Sequence, residues 1–210
     1  AFLQCPNLTD VIIPDSVTNI EGETFWDCES LTNVTIGNSV KSIDDAAFYC
    51  CESLTSVTLG NSVTNIGRGA FNHCIKLTNM NIPNSITSIG DGALRDCSKL
   101  TNITLPNGVT TIGDFAFAGC KTITNITIPS SLTNISRGLL RDCFNLTNVT
   151  INKGVTNISR SAFAGCKRLE YINYLGTMSD WNNINIDIKA FSDILKEIRC
   201  RDGVISLWVN

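Results

Sequence analysis

The chain has 210 residues, of which 43% are apolar and 17% charged. That is the balance of a folded chain rather than a disordered one. Its net charge of -3 argues against a broad nucleic-acid footprint, and it contains no apolar run of the roughly 18 residues that would span a membrane. The chain opens without an initiator methionine or signal peptide, on AFLQC, which reads as the tail of a further repeat. It is therefore expected to be a fragment or a mature piece of a longer protein.

Cysteine then returns at Cys5, Cys28, Cys51, Cys74, Cys97, Cys120, Cys143 and Cys166, always 23 residues apart. A fixed period of this length with an L-x-x-V-x-I core signals a leucine-rich-repeat-like solenoid. With the cysteine as position 1, position 4 is Leu in most copies, from Leu8 to Leu169. Positions 7 and 9 are apolar (Val34 and Ile36, Ile126 and Ile128) and alternate with polar residues at 6 and 8. That alternation predicts a short strand with one buried face. A turn such as PNS, GNS or PNG follows, then an apolar pair at positions 13 and 16, where Ile20 to Ile158 recur without exception. Positions 20 and 21, usually Ala-Phe as in Ala70-Phe71, predict a half-turn of 3₁₀ or α-helix. The expected fold class is an α/β leucine-rich-repeat solenoid: a β-rich right-handed coil of 23-residue repeats with parallel strands and short 3₁₀ or helical turns. One coil buries too little to fold alone, so the array stands through its neighbours.

The position-1 cysteines read as small buried thiols packing as modest apolar residues. Side chains stacked in register and pointing the same way make poor disulfide geometry, and no paired C-x-x-C motif exists for zinc. Two cysteines lie off the grid. Cys50 falls at position 23, shared with Asp27, His73, Asp96 and Gly119, and is expected to be an exposed thiol. Cys200 has no identifiable partner. No cofactor motif is present, and the single histidine, His73, has no accessible nucleophile beside it, so no enzymatic activity is expected.

After residue 175 the period breaks. Residues 176–210, with Trp181, a second Ala-Phe pair at Ala190-Phe191, and the segments EIRC and VISLWV, read as a C-terminal cap that covers the core and strand edge of the last coil. Residues 1–175 form the repeat array, about seven full coils with partial ends.

The motif C-x-x-L-T-x-V-T-I-P-x-S-V-T-x-I-G-x-x-A-F-x-x resembles the BspA-like, or Treponema pallidum-type, leucine-rich repeats. The stretch YINYLGTMSDWNNI, with Gly176, Thr177 and Trp181, resembles the ending of many bacterial members. The resemblance implies a secreted or surface-attached protein of a host-associated microbe, with adhesion or protein binding as its role and no catalytic residues. Its implied partners are host or microbial surface proteins or glycans, with no nucleic acid and no membrane insertion in this segment.

Binding residues are expected where the repeat leaves side chains free. Positions 6 and 8 of the strand, on what should be the concave side, carry Asn33, Thr35, Asn79, Asn81, Asn102, Thr104, Asn125 and Thr127. This lattice reads either as β-forming and inter-coil hydrogen-bonding filler or as a shallow polar face for protein or glycan contacts. Its ends are broken by Ile12 and by Tyr171 with Tyr174 close by. Trp26 and Tyr49 share position 22 in adjacent coils, either as an exposed aromatic patch for a partner or as cover for an absent segment. A passive spacer displaying another domain is the alternative function. A water-ordering surface built from the threonines of positions 5, 8 and 14 is a remote third.

Overall fold

The structure, a computed structural model, describes residues 1–207. It is a solenoid whose described residues contain seventeen strands, numbered in chain order, and one short helix. One row of strands follows positions 6–9: β1 (Asp10–Ile13), β3 (Asn33–Ile36), β5 (Ser56–Thr58), β7 (Asn79–Met80), β10 (Asn125–Ile128), β12 (Asn148–Ile151), β14 (Tyr171–Tyr174) and β16 (Glu197–Cys200). A second row follows positions 15 and 16: β2 (Asn19–Ile20), β4 (Ser42–Ile43), β6 (Asn65–Ile66), β8 (Ser88–Ile89), β9 (Thr111–Ile112), β11 (Asn134–Ile135), β13 (Asn157–Ile158) and β15 (Asn185–Ile186). Neighbours within a row are parallel and pair residues 23 apart in the regular array, as in Val11 with Val34 and Ile43 with Ile66. An in-register stack sets like on like, so the sequence period itself becomes the columns of the core.

Those columns are the apolar positions read from the sequence. Leu31, Leu54, Leu77 and Leu100 are fully buried, as are Val40, Val63 and Ile86. At position 21 the phenylalanines stack face to face, Phe25 on Phe48 at 5.0 Å and Phe48 on Phe71 at 5.1 Å, until Leu94 interrupts the pile. Offset stacking of this kind adds to the burial of the rings.

The half-helix expected around Ala-Phe is realised as consecutive i to i+3 turns, for example the Ala47 and Tyr49 N–H groups onto the carbonyls of Asp44 and Ala46. Two residues per coil prevent continuation into helix. Positions 19 and 23 are left-handed throughout, from Ala46 (φ 55) and Cys50 (φ 57) to Gly138 (φ 60) and Gly165 (φ 75). These turns form a third ladder along the solenoid. The N–H groups of Phe25, Phe48 and Phe71 each reach the carbonyl of the alanine one coil further on, at 2.7–2.8 Å.

The array has a seam. The position 6–9 row continues from β7 only through a single bridge, Asn79 with Asn102, and resumes at β10; the second row likewise stops at β9 and restarts at β11. Only the turn ladder crosses without a gap, through Phe115, Phe117 and Gly119 onto Arg137, Leu139 and Arg141. At this junction position 17 changes from Gly113 to Ser136. The Ile89 carbonyl accepts from the Gly113 N–H at 2.8 Å, whereas the Ile112 carbonyl accepts from the Ser136 hydroxyl. The Thr122 hydroxyl adds contacts to the carbonyls of Ser98 and Leu100.

Beyond residue 175, α1 (Met178–Asn182) opens with a capping box in which Thr177 and Asp180 exchange hydrogen bonds. β15 and β16 carry the two rows one rung further, and β17 (Gly203–Ser206) folds back antiparallel on β16. Trp208 and Val209, read from the sequence as part of the cap, lie outside the described residues.

Candidate functional site

Much of the regular polar surface is engaged within the array. At position 5, the hydroxyls of Thr32, Thr55, Thr78 and Thr101 each donate to the carbonyl of the threonine one coil back, at 2.9–3.2 Å. At position 14, Thr64, Thr87 and Thr110 likewise donate one coil back, to the carbonyls of Lys41, Thr64 and Thr87. The buried position-1 thiols behave alike: Cys51, Cys74 and Cys97 donate to the carbonyls of Phe25, Phe48 and Phe71 at 3.1–3.2 Å. Burial holds these thiols protonated, pushing Cys51 and Cys166 up to about 12. Cys50 is half-buried at its left-handed turn position rather than fully exposed, and desolvation raises its pKa too. All ten cysteines are free thiols.

The strand-face candidates divide. Asn33, Thr35, Asn79, Asn81, Asn102, Thr104, Asn125 and Thr127 are all exposed. Asn33 bonds to Asp10 and Thr32, and Asn125 to Thr124, so the position-6 column is partly tied down. The hydroxyls of Thr35, Thr104 and Thr127 have no protein partner among the described residues. Asn102, Thr104, Asn125 and Thr127 come together at the seam, where with Asn84 and Asn107 they line a cleft of about 520 Å³. Tyr171 is half-buried, with the Arg199 guanidinium 3.4 Å from its ring centre. Tyr174 is a correction to the sequence reading. It occupies the inward position 9, is 3% exposed and packs edge-on against Trp181 at 5.2 Å, so no ligand of the outer strand face reaches it.

The turn edge holds a larger feature. Trp26 and Tyr49 stack at 4.5 Å and form one end of a groove of about 650 Å³ that runs across the next coils to Phe115. The floor is open at Gly69 and Gly92, where an added Cβ would meet nothing closer than 3.7 Å. Phe115 occupies the same position 19 two coils beyond Gly69, and its ring lies over Gly138, where a Cβ would come within 2.3 Å. The guanidiniums of Arg95 and Arg137 sit 5.8 and 5.5 Å from that ring, both in cation–π range. Asp45 and Asp91 line the wall. Each spends one carboxylate oxygen on a backbone N–H of the next coil, at 2.7 and 2.8 Å. The sequence signalled the aromatic pair but not the groove. Phe115 stands 66 residues from Tyr49 and at a different repeat position, so only the stacking of coils brings them to one surface.

The fold and this surface define a leucine-rich-repeat solenoid with non-helical turns, a scaffold that presents columns of side chains. The chain belongs to the BspA type leucine-rich repeat region family, whose model matches residues 1–99 and 65–194 in 6 copies. Members are generally protein-binding surface proteins rather than enzymes. Among solved structures, the leucine-rich repeat protein TpLRR of T. pallidum is 28% identical, with a TM-score of 0.67 over 77% of this chain and 78% of that one. A leucine-rich repeat protein of Bacteroides ovatus is 25% identical, with a TM-score of 0.68 over 92% of this chain and 64% of that one. The pneumococcal vaccine antigen PcpA, at 14% identity and a TM-score of 0.52, shares the fold. No curated protein matches the sequence. Among the described residues, no helix is long and apolar enough to cross a membrane.

Proposed function

We propose that the protein is a non-enzymatic, extracellular binding module that attaches a host-associated microbe to surface proteins or glycans, and that it engages them through the turn-edge groove. The observation that carries this reading is the groove itself. Elsewhere the position-5 and position-14 threonines and the position-1 cysteines serve the array, whereas Trp26 and Tyr49 stack at the end of an open cleft floored by Gly69 and Gly92. Large amphipathic aromatics at a concave surface are the usual anchors of recognition. The seam cleft lined by Asn102, Thr104, Asn125 and Thr127 is a second, more polar surface on the strand side.

The test is saturable binding to matrix proteins and a glycan panel, with Trp26→Ala/Tyr49→Ala and with Gly69→Phe. Position 19 already accepts Phe115 at φ 57 with its ring over the glycine one coil on, Gly138, and Gly69 likewise is followed one coil on by a glycine, Gly92, so the second variant fills the groove in a conformation that the array tolerates. Both should weaken binding by at least about tenfold with melting temperature little changed. Ligands bound equally by all three proteins place recognition elsewhere. No saturable binding, together with tolerance of deleting one whole 23-residue coil, establishes the passive-spacer alternative, which the extensive internal use of Thr and Cys side chains also fits.

A further inference from the structure

The small net charge hides a strong separation along the solenoid. Residues 1–60 carry nine carboxylates and a single cation, Lys41, whereas residues 95–168 carry nine cations and three carboxylates. The change follows the repeat columns on the turn edge. Position 2 runs from Glu29 and Glu52 to Lys121 and Lys167, and position 18 from Asp45 through Arg68, Asp91 and Asp114 to Arg137 and Arg160. In the cation-rich coils the charges are organised rather than merely present. Phe115 carries Arg95 and Arg137 on its ring, and Phe144 carries Lys167, with its Nζ 4.9 Å from the ring centre. Between these platforms Arg95, Lys121 and Arg141 line a hollow of about 440 Å³ with Asp96 and Asp142. Each of those two carboxylates pairs with the arginine beside it, at 3.4 and 3.3 Å, in half-exposed pairs that leave the face a net excess of positive charge. Exposed pairs of this kind contribute little and exchange readily for a stronger anion.

We infer that the turn edge of residues 95–168 is a binding face for a linear polyanionic polysaccharide, its sulfate or carboxylate groups engaging Arg95, Lys121, Arg137, Arg141, Arg160 and Lys167. A regular polymer suits a regular scaffold. The columns repeat at the parallel-strand spacing of about 4.8 Å, and their cations fall on adjacent coils (Arg137 and Arg160) or on alternate ones (Arg95 and Arg141, Lys121 and Lys167), so a polymer lying along the solenoid meets them at intervals of about 5 or 10 Å. Aromatic platforms under Arg137 and Lys167 fix the cations in place before the ligand arrives, which lowers the ordering cost of binding. The acidic coils before residue 60 repel the same polymer and confine it to one half of the edge. This face shares Arg95 and Phe115 with the far end of the groove, but its other cations lie beyond Phe115 from the Trp26–Tyr49 end, so it does not depend on recognition by the aromatic pair.

The experiment measures binding of a heparin decasaccharide, of polygalacturonate and of neutral dextran to the whole chain. The expected result is saturable binding of at least one polyanion and none of dextran. Affinity should fall by roughly 50–150-fold between about 50 and 200 mM salt, as for release of some four counterions. Arg137→Glu/Arg141→Glu should abolish it, Phe115→Leu should weaken it several-fold, and Lys153→Glu, a cation outside the turn edge, should leave it unchanged. Heparin alone binding identifies sulfate as the preferred group, and equal binding of polygalacturonate shows that carboxylate suffices; both support the inference. The proposal fails if neither polymer binds, if binding ignores salt, or if Lys153→Glu is as damaging as the arginine pair. It also fails if the charge separation instead drives self-association at low salt, seen by sedimentation and removed by Arg137→Glu/Arg141→Glu. Trp26→Ala/Tyr49→Ala should leave polyanion binding intact, which separates this face from the aromatic end of the groove.

Discussion

The Cys97 thiol donates to the carbonyl of Phe71, 26 residues back in the chain, at 3.2 Å. The same bond recurs from Cys28 onto Phe2 to Cys166 onto Leu140. The cysteine column is therefore a ladder that joins each turn to its neighbour, as well as a set of small core side chains. Cysteine suits the site because its sulfur combines apolar bulk with a weak donor. Serine has the donor but a shorter reach and a higher cost of burial.

Cys97→Ala removes the sulfur and its bond from a fully buried site and should cost about 1–2 kcal/mol. Cys97→Ser should cost at least as much, because its hydroxyl is desolvated without recovering the full contact. Urea unfolding of the two variants checks this. Stability equal to the parent in both would show that the thiol bond and its packing are dispensable.

The seam between the fifth and sixth coils should be the least protected part of the array. The Thr101 and Thr147 N–H groups reach carbonyls one coil back at 3.1 and 3.0 Å, and so do those of Thr110 and Thr156 at 2.9 and 2.8 Å. Their equivalents at the seam, Thr124 and Thr133, make no such bond. Hydrogen exchange at Thr124 and Thr133 is expected to run at least about tenfold faster than at the flanking threonines, as for backbone groups left outside a cooperative ladder. Uniform protection along the column would contradict the observed break.

The capping box gives a pH signature. The Asp180 carboxylate accepts the Thr177 N–H at 2.9 Å. That bond, the one from the Thr177 side chain, and nearby Lys153 hold its pKa below the ordinary 3.8. A lowered folded-state pKa means that the contribution is complete above the unfolded value and is lost as pH falls through the folded one. The Thr177 amide resonance should therefore titrate with a midpoint below the ordinary aspartate value. In Asp180→Asn, which keeps an accepting oxygen without the charge, that titration should vanish.

Periodicity told most of the fold. Residues 23 apart with alternating apolar positions can satisfy their backbone and bury their side chains together only by stacking in parallel, so Leu54, Val57 and Ile66 were legible as core before any coordinates. Trp26 and Tyr49 could be paired for the same reason, since equal repeat positions in adjacent coils must lie side by side. Tyr174 was legible as an inward position-9 residue, and its aromatic character drew it wrongly toward the surface. Three things needed tertiary structure. The left-handed turns at positions 19 and 23 accept Glu23, Ala46, Cys50 and Phe115, residues that carry no local signal for that conformation. The seam shows where the Ser136 hydroxyl takes the Ile112 carbonyl, although Ser159 at the same repeat position bonds through its N–H like the glycines before it. The groove joins different columns, Tyr49 at position 22 and Phe115 at position 19, through the glycine floor between them. Sequence period fixes what lies above and below a residue. What lies diagonally across the stack depends on turn geometry and side-chain direction, and only the folded chain decides those.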